Sequence, residues 1–136
     1  MLSSFSAPEL FNLVGSIDKT TDIYSVGLIL YRIYNGNHGP FEDEKTSAKA
    51  ADKLRVTGQA LPAPMYADYE MTGIILKACA FKPEDRYQTP DELRVELVEY
   101  MCLHDRKIII QCVRILLERF ALWVAGGEGV HVLQGH

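Results

Sequence analysis

The segment that most limits how this chain can fold is Ile23-Tyr24-Ser25-Val26-Gly27-Leu28-Ile29-Leu30-Tyr31-Arg32-Ile33-Tyr34. It reads as a helix, with Thr21-Asp22 offering a cap at its start and Asn35-Gly36 a stop at its end. Apolar side chains run nearly all the way round it, which leaves no polar face for water. Such a helix belongs either in a membrane or at the centre of a domain. It is far shorter than the ~20 residues a membrane span requires. It is therefore a central helix, and the remaining elements must pack on it.

Those elements are legible on either side. Glu9 to Val14 reads as a short helix with Gly15-Ser16 as its stop, and Asn37-His38-Gly39-Pro40-Phe41 as a turn-rich connection. Lys45 to Val56 reads as a polar, alanine-bearing, exposed helix. Leu61-Pro62-Ala63-Pro64 is extended, because a residue that precedes proline is pushed out of the helical region. Tyr69 to Ala80 places Met71, Ile74, Ile75 and Ala78 at helical spacing. A further helix starts with Thr89 as cap, Pro90 in the first position and Glu92 closing a capping box, with Leu93 and Leu97 on one face. No strand pattern and no internal repeat is present, so the fold class is all-α. With 136 residues and 48% apolar content, the chain can bury one modest core.

Composition removes several functions. The net charge of −4 and the lack of any basic block argue against a nucleic-acid partner. Met1-Leu2-Ser3-Ser4-Phe5 has no basic flank leading into an apolar run, so no signal peptide is visible. The apolar stretch from Ile108 onward is broken by Gln111, Arg114, Glu118 and Arg119, which argues against a membrane span. Cys79, Cys102 and Cys112 are odd in number and lack metal-ligand spacing, which predicts free thiols in a reducing cytoplasm. Cys102, His104 and Cys112 fit no zinc pattern either.

Four short blocks carry the strongest signal, through their order: Ala7-Pro8-Glu9, then Asp22-Ile23-Tyr24-Ser25-Val26-Gly27, then Pro40-Phe41, then Pro83-Glu84-Asp85-Arg86-Tyr87. Together they resemble the second half of the helical lobe of a eukaryotic-like Ser/Thr protein kinase. The likeness runs from about Ser3 to Val98 and is nearest to a group of bacterial kinases from clostridia-like organisms. Phe5-Ser6-Ala7-Pro8-Glu9, the Ile74-Ile75-Leu76-Lys77-Ala78-Cys79-Ala80 run and Thr89-Pro90 add to it. The resemblance implies a partial protein-kinase C-lobe over residues 1–100, an extra amphipathic helix over 101–125 and a flexible tail over 126–136.

It also implies roles, residue by residue. The glutamate at Glu9 is expected to pair with the arginine at Arg86 and so tether the activation segment to the lobe. Asp22 is expected to cap the central helix, and to be the residue most exposed to lacking a partner. Ser4 and Phe5 match the end of the peptide-docking loop, with Phe5 where the family often has tyrosine. Leu2 stands where the family has a threonine that contacts the catalytic aspartate. That departure argues against ordinary substrate positioning, and it suggests that Met1 is an internal or accidental start.

Phosphoryl transfer needs a glycine-rich cover for the phosphates, a lysine, metal-binding Asp and Asn, and an aspartate base. This sequence contains no Gly-x-Gly-x-x-Gly, no Ala-x-Lys strand, no His-Arg-Asp and no Asp-Phe-Gly. Gly126-Gly127-Glu128-Gly129 follows no strand and opens no helix, and His104-Asp105-Arg106 has the wrong order and place. No catalytic, cofactor-binding or metal residue is therefore assigned, although ATP and Mg²⁺ serve the full-length family. The expected function is a Ser/Thr kinase fragment that is inactive alone. Two alternatives stay open: a non-catalytic helical module that docks a kinase or dimerises, and half of a split active kinase.

Lys107 to Val124 carries Gln111, Arg114 and Glu118 on one narrow polar stripe, with apolar residues elsewhere. It reads as an extra helix packed on the lobe or as out-of-frame sequence. Sharper readings are a dimerisation helix or, less favoured for want of positive charge, a membrane-surface helix. Expected partners are the N-terminal portion of a kinase, or a second copy, through the exposed face of the central helix and residues 107–124.

Overall fold

A computed structural model of the chain describes residues 4–12 and 17–126. Every regular element in these residues is helical: α1 (Pro8–Asn12), α2 (Lys19–Ile33), α3 (Ala48–Val56), α4 (Tyr69–Ala78), a 3₁₀ turn (Pro83–Asp85) and α5 (Pro90–Ala125). The all-α expectation holds. The chain divides into two units, Met1–Val98 and Glu99–His136.

In the first unit, α2 is the element on which the others assemble. It packs against α4 and the 3₁₀ turn, while α1 packs against α3. Ile23, Tyr24, Gly27, Leu28 and Tyr31 of α2 are buried, facing a core that includes Met71, Ile74, Ile75, Ala78 and Cys79. The close approach of α2 and α4 depends on Gly27. A Cβ there would lie 2.6 Å from Cys79 Sγ and 2.9 Å from Ala78 Cβ.

The start of α2 differs from expectation. Asp18, not Asp22, is its cap: the Asp18 carboxylate accepts from the Thr20 backbone N–H at 2.8 Å, and Thr21 Oγ1 accepts from the Asp18 N–H. The reciprocal bonds satisfy the first orphan donors four residues earlier than the apolar run suggests. Asp22 lies in the first helical turn with its side chain exposed. It is not a buried group in want of a partner, and no buried side-chain nitrogen or oxygen among the described residues lacks one.

Past α2, Gly36 takes a left-handed φ of 61°, which glycine adopts without a Cβ clash. The proline-rich segment is tied back to the helix. Tyr31 donates to the Pro62 carbonyl at 3.0 Å, and the Tyr66 N–H donates to the Tyr34 carbonyl at 2.8 Å. Ser47 caps α3 and Asp68 caps α4, each through its side chain. Thr89 accepts from the Glu92 N–H at the head of α5, while Glu92 accepts from Gln88 N–H in return.

The second unit contains the rest of α5. The extra helix expected over 101–125 is not a separate element, because α5 continues without a break from Pro90 to Ala125. Its described side chains from Ile110 onward are all exposed, Leu116, Leu117, Phe120 and Leu122 among them. No helix among the described residues is long and apolar enough to cross a membrane. Leu2, Gly15-Ser16 and the tail from Gly127 lie outside the described residues.

Candidate functional site

The most organised polar site surrounds Arg86. Pro83 opens the 3₁₀ turn with its φ already set for it, and the turn ends as the Arg86 N–H donates to the Pro83 carbonyl at 3.2 Å. The Gln88 side-chain amide donates to the Pro83 and Arg86 carbonyls and holds this corner. From here the Arg86 side chain enters the core and has no solvent exposure.

All five of its N–H donors find acceptors. Nε donates to the Ala80 carbonyl at 2.7 Å, and one terminal nitrogen donates to Glu9 Oε1 at 2.8 Å and the Thr20 carbonyl at 3.1 Å. The other donates to Glu9 Oε2 at 2.9 Å and the Phe81 carbonyl at 3.0 Å. A guanidinium can be buried only on these terms, since an unpaired charge in such a place costs several kcal/mol, on the order of 3–5.

Glu9 stands in the first turn of α1, where a carboxylate also complements the helix dipole. Its side chain is 9% exposed, and Oε1 accepts a third bond from Thr21 Oγ1 at 3.1 Å. Burial pushes the Glu9 carboxyl upward, but the Arg86 guanidinium, its own backbone and the Thr21 hydroxyl outweigh that and hold it below its ordinary value. The pair joins residues 77 positions apart and fixes Ala7-Pro8-Glu9 to the start of α2 and to the turn before α5. Ala7 and Pro8 are themselves buried.

A second buried arginine was not singled out in the sequence. Arg55, on α3, is 2% exposed and donates to the Ser6 carbonyl at 2.6 Å, to Tyr24 Oη at 3.1 Å and to Asp52 Oδ1 at 3.3 Å. Tyr24 is the shared partner. The Arg86 and Arg55 guanidinium carbons lie 4.7 Å and 5.5 Å from its ring centroid. Burial raises the Tyr24 hydroxyl to about 12 despite the nearby arginines, so it stays a neutral acceptor. Burial likewise raises the Cys79 thiol to about 12, which leaves it unreactive at neutral pH. The α3 helix is thus not simply an exposed helix. Ala51 and Arg55, one turn apart, form its buried face.

The remaining residues that the sequence pointed to lie at the edge of this arrangement. Ser4 donates to Asp52 Oδ2 at 2.9 Å. The Phe5 carbonyl accepts from Ser25 Oγ at 2.8 Å, and the Arg32 guanidinium carbon lies 5.2 Å from the Phe5 ring centroid. Phe5 also lines a groove of about 390 Å³ with Ile29, Arg32, Ile33 and Asn37. Asp22 takes no part in the arginine network. Among the described residues no group of three or more His, Cys, Asp or Glu is placed to hold a metal ion. The arrangement holds a segment in place.

The family model described as protein tyrosine and serine/threonine kinase matches residues 2–97. The chain is 35% identical over 88 residues to the serine/threonine-protein kinase PknB of Mycobacterium tuberculosis, covering 61% of this chain and 13% of that protein. It is 35% identical over 85 residues to PknB of Mycolicibacterium smegmatis, with the same coverage. Serine/threonine-protein kinase Pkn1 of Myxococcus xanthus is 34% identical over 110 residues, covering 76% of this chain and 15% of that protein. The matched stretches are thus about one seventh of the relatives' length.

Proposed function

This chain belongs to the protein tyrosine and serine/threonine kinase family, and from that premise we propose that it serves as the part of a Ser/Thr kinase helical lobe that anchors the end of the activation segment. The activity it serves is ATP-dependent phosphorylation of protein serine and threonine. The observation that carries the reading is the bidentate Glu9–Arg86 bond, which locks the Ala7-Pro8-Glu9 block to the body of the first unit.

The chemistry itself is supplied elsewhere. ATP and Mg²⁺ require a phosphate cradle, a lysine, metal-binding Asp and Asn, and a base. These motifs are not in the 136 residues, and the residues present do not fit the nucleotide or its metal. The isolated chain is accordingly inactive. The test is transfer of labelled phosphate from ATP with Mg²⁺ by the purified chain, beside a size-exclusion trace. Silence supports the reading. Transfer that survives removal of contaminating kinases overturns it.

A second reading has its own support. Val26, Ile29 and Ile33 form one stripe of α2 and are 41%, 49% and 67% exposed. Burying such a stripe contributes about 25 cal/mol per Å². The N-terminal portion of a kinase covering it would make this chain a docking module or half of a split enzyme. A sharp, folded dimer without phosphate transfer favours self-association, through this stripe or the exposed apolar side chains of α5. Activity restored by adding a kinase N-terminal portion favours the split enzyme.

A further inference from the structure

A second groove lies between α1 and α3 and borders the arginine network at Asp52. It has a volume of about 500 Å³, within the range of roughly 300–1,000 Å³ typical of ligand pockets. Phe11, Ala48 and Val56 give it apolar walls, and Ser4, Asp52, Lys49 and Lys53 supply its polar rim.

The charges on this rim point one way. The Asp52 carboxylate is engaged at both oxygens, by Arg55 and by Ser4. Lys49 and Lys53 are exposed, and neither is paired with a carboxylate among the described residues. They face the groove as two free positive charges on a chain whose net charge is −4.

Local helix stability does not account for them. Like charges four residues apart on a helix repel, at a cost of roughly 0.2–0.5 kcal/mol. Lys49 also sits in the first turn of α3, where a cation opposes the helix dipole and where no acidic residue is present. An anionic group bound between the two lysines would relieve both penalties.

We propose that the α1–α3 groove docks an acidic segment of a partner protein, with one apolar side chain of that segment seated between Phe11, Ala48 and Val56 and flanking carboxylates on Lys49 and Lys53. The interaction does not rest on kinase activity, and it is read without nucleotide. Its strength falls with salt, because the rim charges are exposed and screened.

The test uses the purified chain and a fluorescein-labelled peptide of glutamates and aspartates around a central phenylalanine. Fluorescence anisotropy compares it with a lysine-based counterpart and with a version carrying serine at the centre. The acidic peptide should bind at least about tenfold more tightly than the basic one, a difference of about 1.4 kcal/mol. Replacing its phenylalanine should weaken it, as should added salt. The Lys49→Glu/Lys53→Glu double variant should lose about tenfold or more in affinity, a further 1.4 kcal/mol or so, while Lys82→Glu, just before the 3₁₀ turn, should not. A Lys49→Gln/Lys53→Gln variant, checked by thermal melting, gives the same reading if the charge reversal fails to fold. Equal binding of acidic and basic peptides overturns the proposal. So does binding to phosphatidylserine vesicles in place of the peptide, or a dimer that the lysine variants dissociate.

Discussion

Replacing Arg86 with alanine leaves Glu9 nearly buried with the Thr21 hydroxyl and its own backbone as its remaining partners. Removing one partner of a buried pair costs about 3–5 kcal/mol, and urea denaturation should show a loss of that size. Lysine at this position is no substitute, since three donors replace five. Tyr24→Phe deletes the hydroxyl that accepts from Arg55, and a bond to a charged group is worth about 1.5–3 kcal/mol. Acid should also weaken the fold. Folding holds the Glu9 carboxyl below its ordinary value of 4.5, so the native state favours the ionised form. Its stabilisation is present above that value and is lost as pH falls through the lower, folded one. Glu9→Gln should flatten the acid limb of a stability–pH curve without abolishing it, because Asp18, Glu42 and Asp43 are also held low by hydrogen bonds. Glu9 and Arg86 were legible because each sits in a recognisable block. Arg55 was not, because an arginine among Lys49, Asp52 and Lys53 reads as surface. Its one signal was the placement one turn after Ala51, on the side of α3 that faces the core.

Two glycines test how the helices meet. Gly27 lies where α2 touches α4, and an added Cβ would collide with Cys79 and Ala78. Overpacking of this kind costs about 1–3 kcal/mol, more than the ~0.5–1 kcal/mol that alanine gains in a helix. Gly73 is exposed on α4, and a Cβ added there would meet nothing within 4 Å, so Gly73→Ala should stabilise by about 0.5–1 kcal/mol. Thermal melting of the two variants should therefore move in opposite directions. The cap of α2 gives a further contrast: Asp18→Ala should lower the melting temperature, and Asp22→Ala should change it far less. The central helix was legible from its lack of a polar face. Its true start was not, because Asp18 and Thr21 precede the apolar run and their bonds extend the helix beyond it. The continuity of α5 across the boundary placed near residue 101 was not legible for a related reason, although the two units part close to it, after Val98. Periodicity weakens there, yet no glycine or proline interrupts α5 between Pro90 and Ala125.

At the scale of the molecule, the first unit is a set of helices gathered on α2, with one charged bond joining positions 9 and 86 across it. That bond gives the family assignment a physical meaning, because it makes Ala7-Pro8-Glu9 part of the folded body. The exposed stripe of α2 belongs to this scale too. Val26→Glu/Ile29→Glu should raise solubility and reduce association in light scattering, because large exposed apolar patches drive assembly. The central claim is that Glu9 and Arg86 act as one unit, and a double-mutant cycle in urea tests it most directly. If they do, Glu9→Gln/Arg86→Met costs little more than the worse single variant, and the coupling is about as large as the smaller single loss. Single losses that add to within about 0.5 kcal/mol would contradict the account.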